Sequence, residues 1–330
     1  MSKSLLEQQF KQKSIDNSSE EFKKNYRLKT LDEIFKQLGN RENRILFYCP
    51  DIPLVNDLTK IIYNLAYTLE KYKFNVTIIH EIHTYKCKWL IDEDRKYNKL
   101  KVDYFIKKKG SKTKKTSNNY SFKPSDTLIV PDQFIEIFDN LNSVKLIHKV
   151  VLFNSLGSLS SLSPGIDFNS LKIDTAIFLN KTLEDLYSSL FTFKSKYLLE
   201  YNYVDYTDVK RDSEEVLPLI SLSNIGNVEF VNQVINVFYN KYPYLRIFNF
   251  RILDRNNYSL YKENFEKSCL ILALDKTLNG TVIFDEAAKF KIPIITNKRP
   301  ELNEEYLKLI YAGDTCLEIA DAIAEFRSEE

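Results

Sequence analysis

The stretch RILFYCPDIP (44–53), the helical period that follows it over 56–72, and the run VTIIH (76–80) decide the fold. Ile45, Leu46, Phe47, Tyr48 and Cys49 form a short apolar run halted by Pro50 and Pro53, the pattern of a buried strand. Leu58, Ile61, Ile62, Leu65, Ala66 and Leu69 then recur at the spacing that gathers side chains on one face of a helix. Val76–His80 restores an apolar run. Strand, helix and strand in succession make a βαβ unit, whose right-handed crossover implies a parallel sheet.

The alternation continues outward. Residues 125–131, 149–154 and 174–179 read as strands, with a helix over 181–191. This is the pattern of a doubly wound α/β sheet. The polar stretch EYNYVDYTDVKRDSEEV (200–216) interrupts it and reads as a linker. A second series follows: strands over 217–222, 245–250, 269–274 and 292–296, and helices over 228–239, 258–266, 281–290 and 316–326. Upstream, Thr30-Leu31-Asp32-Glu33 has capping-box spacing. Leu31, Ile34, Phe35 and Leu38 then form one helical face, closed by Gly39, that docks on the first domain or on a neighbouring molecule. The expected division is a helical extension (1–42), a first Rossmann-like domain (43–205) and a second (206–330).

A chain of 330 residues with 44% apolar and 28% charged residues suits two cores of ordinary size. The net charge of +2 does not by itself point to nucleic acid or membrane. Four cysteines without a CxxC pair, Cys49 and Cys269 lying in or beside apolar runs, read as free thiols in a reducing cytoplasm. Three histidines, among them His80 and His83, make a poor zinc set, and no metal is expected. The N-terminus lacks a signal-peptide core, and no window is apolar enough to span a bilayer. Lys107–Thr116 carries six lysines in ten residues. It reads as a solvated loop, or as a basic loop meeting an anionic acceptor such as a phospholipid, a nucleic acid or a phosphorylated sugar.

Two Rossmann-like domains bind ligands at the carboxyl ends of their strands, in the cleft between them. The most informative segment there is DKTLNGTVIFDEAA (275–288), followed by PII (293–295). A helix opening near Thr281 offers free N–H groups and a partial positive charge, suited to a diphosphate. Gly280 lets a phosphate approach the backbone, and an acid one to two turns into the helix, Asp285 or Glu286, can accept from ribose hydroxyls. The plainer readings are a turn at Asn279-Gly280 and acids that favour the first turns of a helix. Trp89 reads as a packing anchor or a sugar platform, and Asp126 as a turn residue before its strand.

This order of features over residues 44–300 resembles the GT-B glycosyltransferases of the family-four type found in phage and bacteria. The resemblance lies in a Gly-containing loop, a Glu-Ala pair and a Pro-led strand, with Ile45–Pro53, Asn56–Leu69 and Val76–His80 in the opening domain. It implies two Rossmann-like doubly wound domains facing across a cleft. It also implies metal-independent transfer of a sugar from a nucleotide-diphospho-sugar, without a bound cofactor and with retention at the sugar carbon. Asn279, Gly280 and Thr281 would face the diphosphate, and Glu286 the ribose. The spacing from Gly280 is one residue longer than usual, so Asp285 competes with Glu286. Residues 53–57, Asn56 among them, would lie across the cleft, and His80 is a candidate acid/base or acceptor contact. The donor-site motifs are degenerate. Val55-Asn56-Asp57-Leu58 stands where a glycine pair is usual, and Leu278 where an acid is usual, leaving Asp275 as a candidate substitute. Residues 221–228 lack the usual Arg and Lys, so Arg251 or Arg255 would supply the charge from the next loop. Two alternatives stay open: a GT-B-shaped binding or assembly protein without catalysis, and a sugar-nucleotide epimerase, which needs several carboxylates and a histidine in the cleft.

Overall fold

The apolar runs pair into two separate all-parallel sheets. The structure is a computed structural model that describes residues 33–34, 36, 42–54, 56–82, 84–93, 95–106, 120–140, 148–154, 171–173, 175–179, 181–199, 219–222, 228–245, 249–252, 257–274, 287, 292–297 and 309–328. The first sheet comprises β1 (Arg44–Tyr48), β2 (Asn75–Ile82), β3 (Lys101–Ile106), β4 (Thr127–Pro131), β5 (His148–Phe153), β6 (Thr175–Phe178) and β7 (Ser195–Leu198). They lie in the order β3-β2-β1-β4-β5-β6-β7. Between them run the helices α1 (Asp57–Lys71), α2 (Lys88–Glu93), α3 (Ile137–Asn140) and α4 (Lys181–Leu190). The second sheet comprises β8 (Leu219–Leu222), β9 (Asn249–Ile252), β10 (Ser268–Ala273), β11 (Ile294–Asn297) and β12 (Leu309–Ala312), in the order β12-β11-β10-β8-β9. Its helices are α5 (Val228–Lys241), α6 (Tyr258–Glu266) and α7 (Cys316–Ser328).

The strand period of two explains why the central strands are mostly apolar on both faces. Ile45 and Phe47 of β1 face α1, together with Ile78, Ile129, Val150 and Leu152. Leu46 and Tyr48 face the other way, into a cluster with Leu128, Val130, Phe153 and Phe178 that Leu183 and Tyr187 of α4 cover. A parallel sheet clad on both faces leaves few strand positions for polar residues, and those present, such as Thr77, His80 and Thr127, are buried. In the second sheet, Leu270 and Leu272 of β10 pack against Val234 and Phe238 of α5 and Ile319 and Ile323 of α7. Ile271 and Ala273 point the opposite way, toward Tyr261 and Phe265 of α6, and belong to the same cluster as α1 of the first sheet. One continuous apolar cluster thus joins the two lobes.

Local chemistry fixes the element ends. The Asn56 side chain caps α1 by accepting from Thr59 N at 3.1 Å. At the other end Phe74 N reaches Leu69 O at 3.1 Å and Lys73 N reaches Glu70 O at 2.8 Å, a Schellman closure with Lys73 at φ 63°. Arg44, which opens β1, forks onto Asp126 ahead of β4, with Nε–Oδ1 at 2.8 Å and Nη2–Oδ2 at 2.5 Å. Asp126 is fully buried and also accepts from Lys123 N at 2.7 Å. It is therefore the anchor of a bidentate ion pair rather than a turn residue alone, and this hydrogen bond raises the Arg44 pKa.

The elements that differ from the sequence expectations lie mostly at sheet edges. No strand was expected at 101–106, 195–198 or 309–312, yet β3 and β7 close the first sheet and β12 one side of the second. β3 and β7 carry charged residues, Lys101 and Lys196 among them, so they lack the apolar run that marks a central strand, whereas β12 is apolar but only four residues long. The strand expected at 245–250 lies at Asn249–Ile252, after a short 3-10 turn at Pro243–Leu245. Of the helix expected at 30–38, Glu33, Ile34 and Lys36 are helical, and Ile34 is buried in the α1-side cluster. The expected domain boundary at 205/206 lies outside the described residues.

Candidate functional site

In a doubly wound sheet the chain leaves a central pair of strands in opposite directions, and ligands bind where it does so. The first sheet has this switch point between β1 and β4, the second between β8 and β10. Their carboxyl ends lead to Cys49–Asp51, Asp132, the segment from 223 and the segment from 275.

At the first switch point the post-β1 turn is tied to the end of β2 by one carboxylate. Asp51 Oδ1 accepts from Glu81 N at 3.1 Å and Oδ2 from Ile82 N at 2.8 Å. His80 Nδ1 stands 3.1 Å from Asp51 Oδ1, and His80 Nε2 is 2.9 Å from the Tyr63 hydroxyl on α1. A carboxylate can only accept, so Nδ1 carries the proton. Burial holds the Tyr63 phenol well above its ordinary range, so Tyr63 keeps its proton, and its hydroxyl pairs with Nε2. The Tyr85 ring lies 4.7 Å from the imidazole, and its hydroxyl donates to Ile52 O in the same turn. Both nitrogens of His80 are occupied and the ring is fully buried. The structure therefore makes His80 a positioning residue that holds the turn. It does not present a nitrogen to a substrate as an acid/base would require. Asn56, expected across the cleft, spends its side-chain oxygen on capping α1.

Behind the turn lie groups that sequence reasoning did not single out. Lys60, in the first turn of α1, is buried with Nζ 6.0 Å from the Trp89 ring and 5.8 Å from the Tyr261 ring of α6. It is a cation held between aromatic faces of the two lobes. Trp89 is buried in the shared cluster, which makes it a packing residue. Cys49 and Cys87 are buried nearby, and burial pushes the Cys87 thiol up to about 11. Cys269 is buried too, and all four cysteines are free. The signal for Lys60 was faint: a lysine interrupting the apolar stripe between Leu58 and Ile61. Asp51 was more visible, as an acid between two prolines directly after a strand.

In the second lobe, β10 ends at Ala273 beside β8, so the chain enters the 275–288 segment at the switch point. Asp275, Asn279, Gly280, Thr281, Asp285 and Glu286 lie outside the described residues, as do Arg255, His83 and Lys107–Thr116. Ala287 is helical and buried in the shared cluster. Arg251 is the third residue of β9 rather than a loop residue, and its Nη1 reaches Asn264 Oδ1 on α6 at 3.4 Å. Among the described residues no three His, Cys, Asp or Glu side chains come together as a metal site requires, and no helix is long and apolar enough to cross a membrane.

No protein-family profile matches the sequence, and no curated protein matches it. Solved structures do. The structure of TarM superposes with a TM-score of 0.59 at 10% identity, over 87% of this chain and 92% of that one. A Listeria monocytogenes protein assigned as a UDP-N-acetylglucosamine 2-epimerase superposes with a TM-score of 0.52 at 9% identity, over 86% of this chain and 88% of that one. The chain has the GT-B fold. Both neighbours are matched over most of their length, so the likeness includes both lobes and not a single Rossmann-like half.

Proposed function

We propose that this GT-B chain transfers a glycosyl group from a nucleotide-diphospho-sugar to an acceptor held by the first lobe. The observation that supports this reading best is topological. The one segment whose sequence suits a diphosphate and a ribose, 275–288, begins where β10 ends at the second sheet's switch point. Asn279, Gly280 and Thr281 would bind the diphosphate through backbone N–H groups, and Glu286 or Asp285 would accept from the ribose. Arg255 or Arg251 would offset the charge that develops on the departing diphosphate. On the first lobe, the turn that Asp51 and His80 hold would form the opposite wall, and the lysines of 107–116 would favour an anionic acceptor. The donor is a substrate, and the reading needs no metal or bound cofactor.

A second reading is a GT-B binding protein without catalysis. It is favoured by His80, whose nitrogens are both engaged, and by Asn56, whose oxygen caps a helix where a glycine pair would leave backbone N–H groups open. An epimerase would change the sugar without an acceptor, and product analysis separates it from a transferase. The test is thermal unfolding with UDP, GDP and their sugars added singly. A ligand at 100 times its dissociation constant stabilises by ~2.7 kcal/mol, a shift of several degrees. One nucleotide should raise the melt, and Glu286→Ala or Asp285→Ala should abolish that rise. If no nucleotide moves the melt, transfer is excluded in favour of the binding protein; if both variants respond like the parent, the ribose assignment is wrong.

A further inference from the structure

The edge of the first sheet opposite the cleft carries a charge pattern that the chain's near-neutral total conceals. A basic residue opens or precedes each of its seven strands: Arg44 for β1, Lys71 and Lys73 for β2, Lys99 and Lys101 for β3, Lys123 for β4, Lys149 for β5, Lys172 for β6, and Lys194 and Lys196 for β7. Arg44 and Lys149 turn inward, to Asp126 and to Leu171 O. The remaining eight lysines are all exposed, and among the described residues the exposed acids at the same edge are Glu42 and Glu70. The ion pairs among the described residues are made by other side chains. Where these eight have partners the partners are neutral: Asn75 for Lys101, Ser188 for Lys196 and the Tyr67 ring for Lys71. The cleft edge is mixed, with Asp51, Glu81 and Glu136 set against Lys86 and Lys88.

Two of these lysines stand in a backbone conformation that does not favour them. Lys73 (φ 63°) and Lys172 (φ 54°) are the only non-glycine residues with positive φ among the described residues, and both lie at this edge. Glycine or asparagine is the unstrained choice there. Two cations at this edge are thus kept against local backbone preference. Exposed apolar side chains also lie at the edge, Val102 opening β3 and Leu190 ending α4.

We propose that this amino-terminal edge of the first sheet docks the protein on an anionic lipid bilayer. Seven parallel strands spaced ~4.8 Å apart present the lysines in a row about 29 Å wide, a broad front rather than a groove. All eight exposed cations are lysines, compact point charges suited to a fluid headgroup layer. The apolar side chains at the two ends of the row, Val102 on β3 and Leu190 beside β6 and β7, suit the interface below the headgroups. Docked this way, the carboxyl edge and its cleft stand one strand length, ~17 Å, away from the headgroups and open to solvent. The inference does not depend on the glycosyl-transfer reading.

The test is co-sedimentation of the full chain with vesicles of phosphatidylcholine alone and of phosphatidylcholine with phosphatidylglycerol at 3:1. The chain should bind only the anionic vesicles and leave them as salt shortens the screening length from ~10 Å at 0.1 M to ~3 Å at 1 M. The edge variant Lys99→Gln, Lys101→Gln, Lys123→Gln and Lys194→Gln should weaken binding on the order of 1000-fold. A second variant with the six lysines of 107–116 changed to glutamine should keep most of it. Equal binding to neutral vesicles overturns the proposal, as does an edge variant that binds like the parent. So does a loss confined to the 107–116 variant, or tighter binding of a 20-base DNA duplex at the same salt. Should the edge variant fail to show the parent's cooperative melt, hydrogen exchange of the parent on vesicles decides. Protection at 99–102, 172–173 and 194–196 supports docking through this edge, and protection elsewhere refutes it.

Discussion

Replacing Asp51 with alanine removes the acceptor shared by the Glu81 and Ile82 amides and by His80 Nδ1–H. Hydrogen bonds to a charged acceptor contribute ~1.5–3 kcal/mol each. The two amides belong to exposed residues, so water recovers part of that. His80 has no such recourse: its ring is fully buried, and an orphaned ring N–H costs ~1–3 kcal/mol. The sum is about 2–4 kcal/mol for Asp51→Ala, and about half for Asp51→Asn, which keeps one acceptor oxygen. At 2–4 °C per kcal/mol for a unit of 150–250 residues, Asp51→Ala should melt roughly 4–16 °C lower. Urea unfolding followed by fluorescence is the assay. Trp89 is the only tryptophan and is buried in the shared cluster, so its signal reports the region that Asp51 secures. The midpoint should fall with the slope unchanged. In a double-mutant cycle, Asp51→Ala and His80→Ala should cost less together than the sum of the two singles, because they remove one network. A change under ~0.5 kcal/mol for Asp51→Ala, or strict additivity in the cycle, would show that this carboxylate does not hold the turn.

Other predictions follow from the same geometry. Asp126→Ala strips the Arg44 guanidinium of its buried partner and should cost ~2–4 kcal/mol in urea unfolding, whereas Arg44→Met with Asp126→Leu should cost less than Asp126→Ala alone. The Cys87 thiol holds its proton to about 11 in the fold against an ordinary 9.0, so the unfolded chain ionises first. Its contribution is therefore intact below pH 9 and lost as the pH rises from about 9 to about 11. Cys87→Ala should flatten the fall in melting temperature across that window, and a slope equal to the parent's would contradict this.

Much of the fold was legible because its central strands are covered on both faces. The runs 45–49, 128–130 and 150–153 are apolar throughout and 76–80 is mostly so, and each became a strand near the expected bounds. β3 and β7 escaped notice because KVDYFI and SKYL mix charge with apolar residues, and β12 because LIYA is only four residues long, too short for periodicity to tell strand from helix. β9 was displaced because Tyr244 and Leu245 look strand-like while Pro243 starts a 3-10 turn. At the candidate site, sequence could rank His80 as a chemically able residue but not foresee that its ring would be enclosed. Its partners Asp51 and Tyr63 lie 29 and 17 positions away on other elements, and periodicity gives a face without a partner. The same limit hid Lys60, whose aromatic neighbours Trp89 and Tyr261 come from different lobes.

The central claim is that a nucleotide diphosphate binds where the chain leaves β10, in a cleft whose other wall is the turn held by Asp51. Hydrogen exchange with and without saturating UDP or GDP tests it most directly. The account predicts slowed exchange in peptides spanning 275–290, with a smaller effect over 49–56, and no change at the amino-terminal edge of the first sheet. Slowed exchange elsewhere with 275–290 unchanged would contradict it.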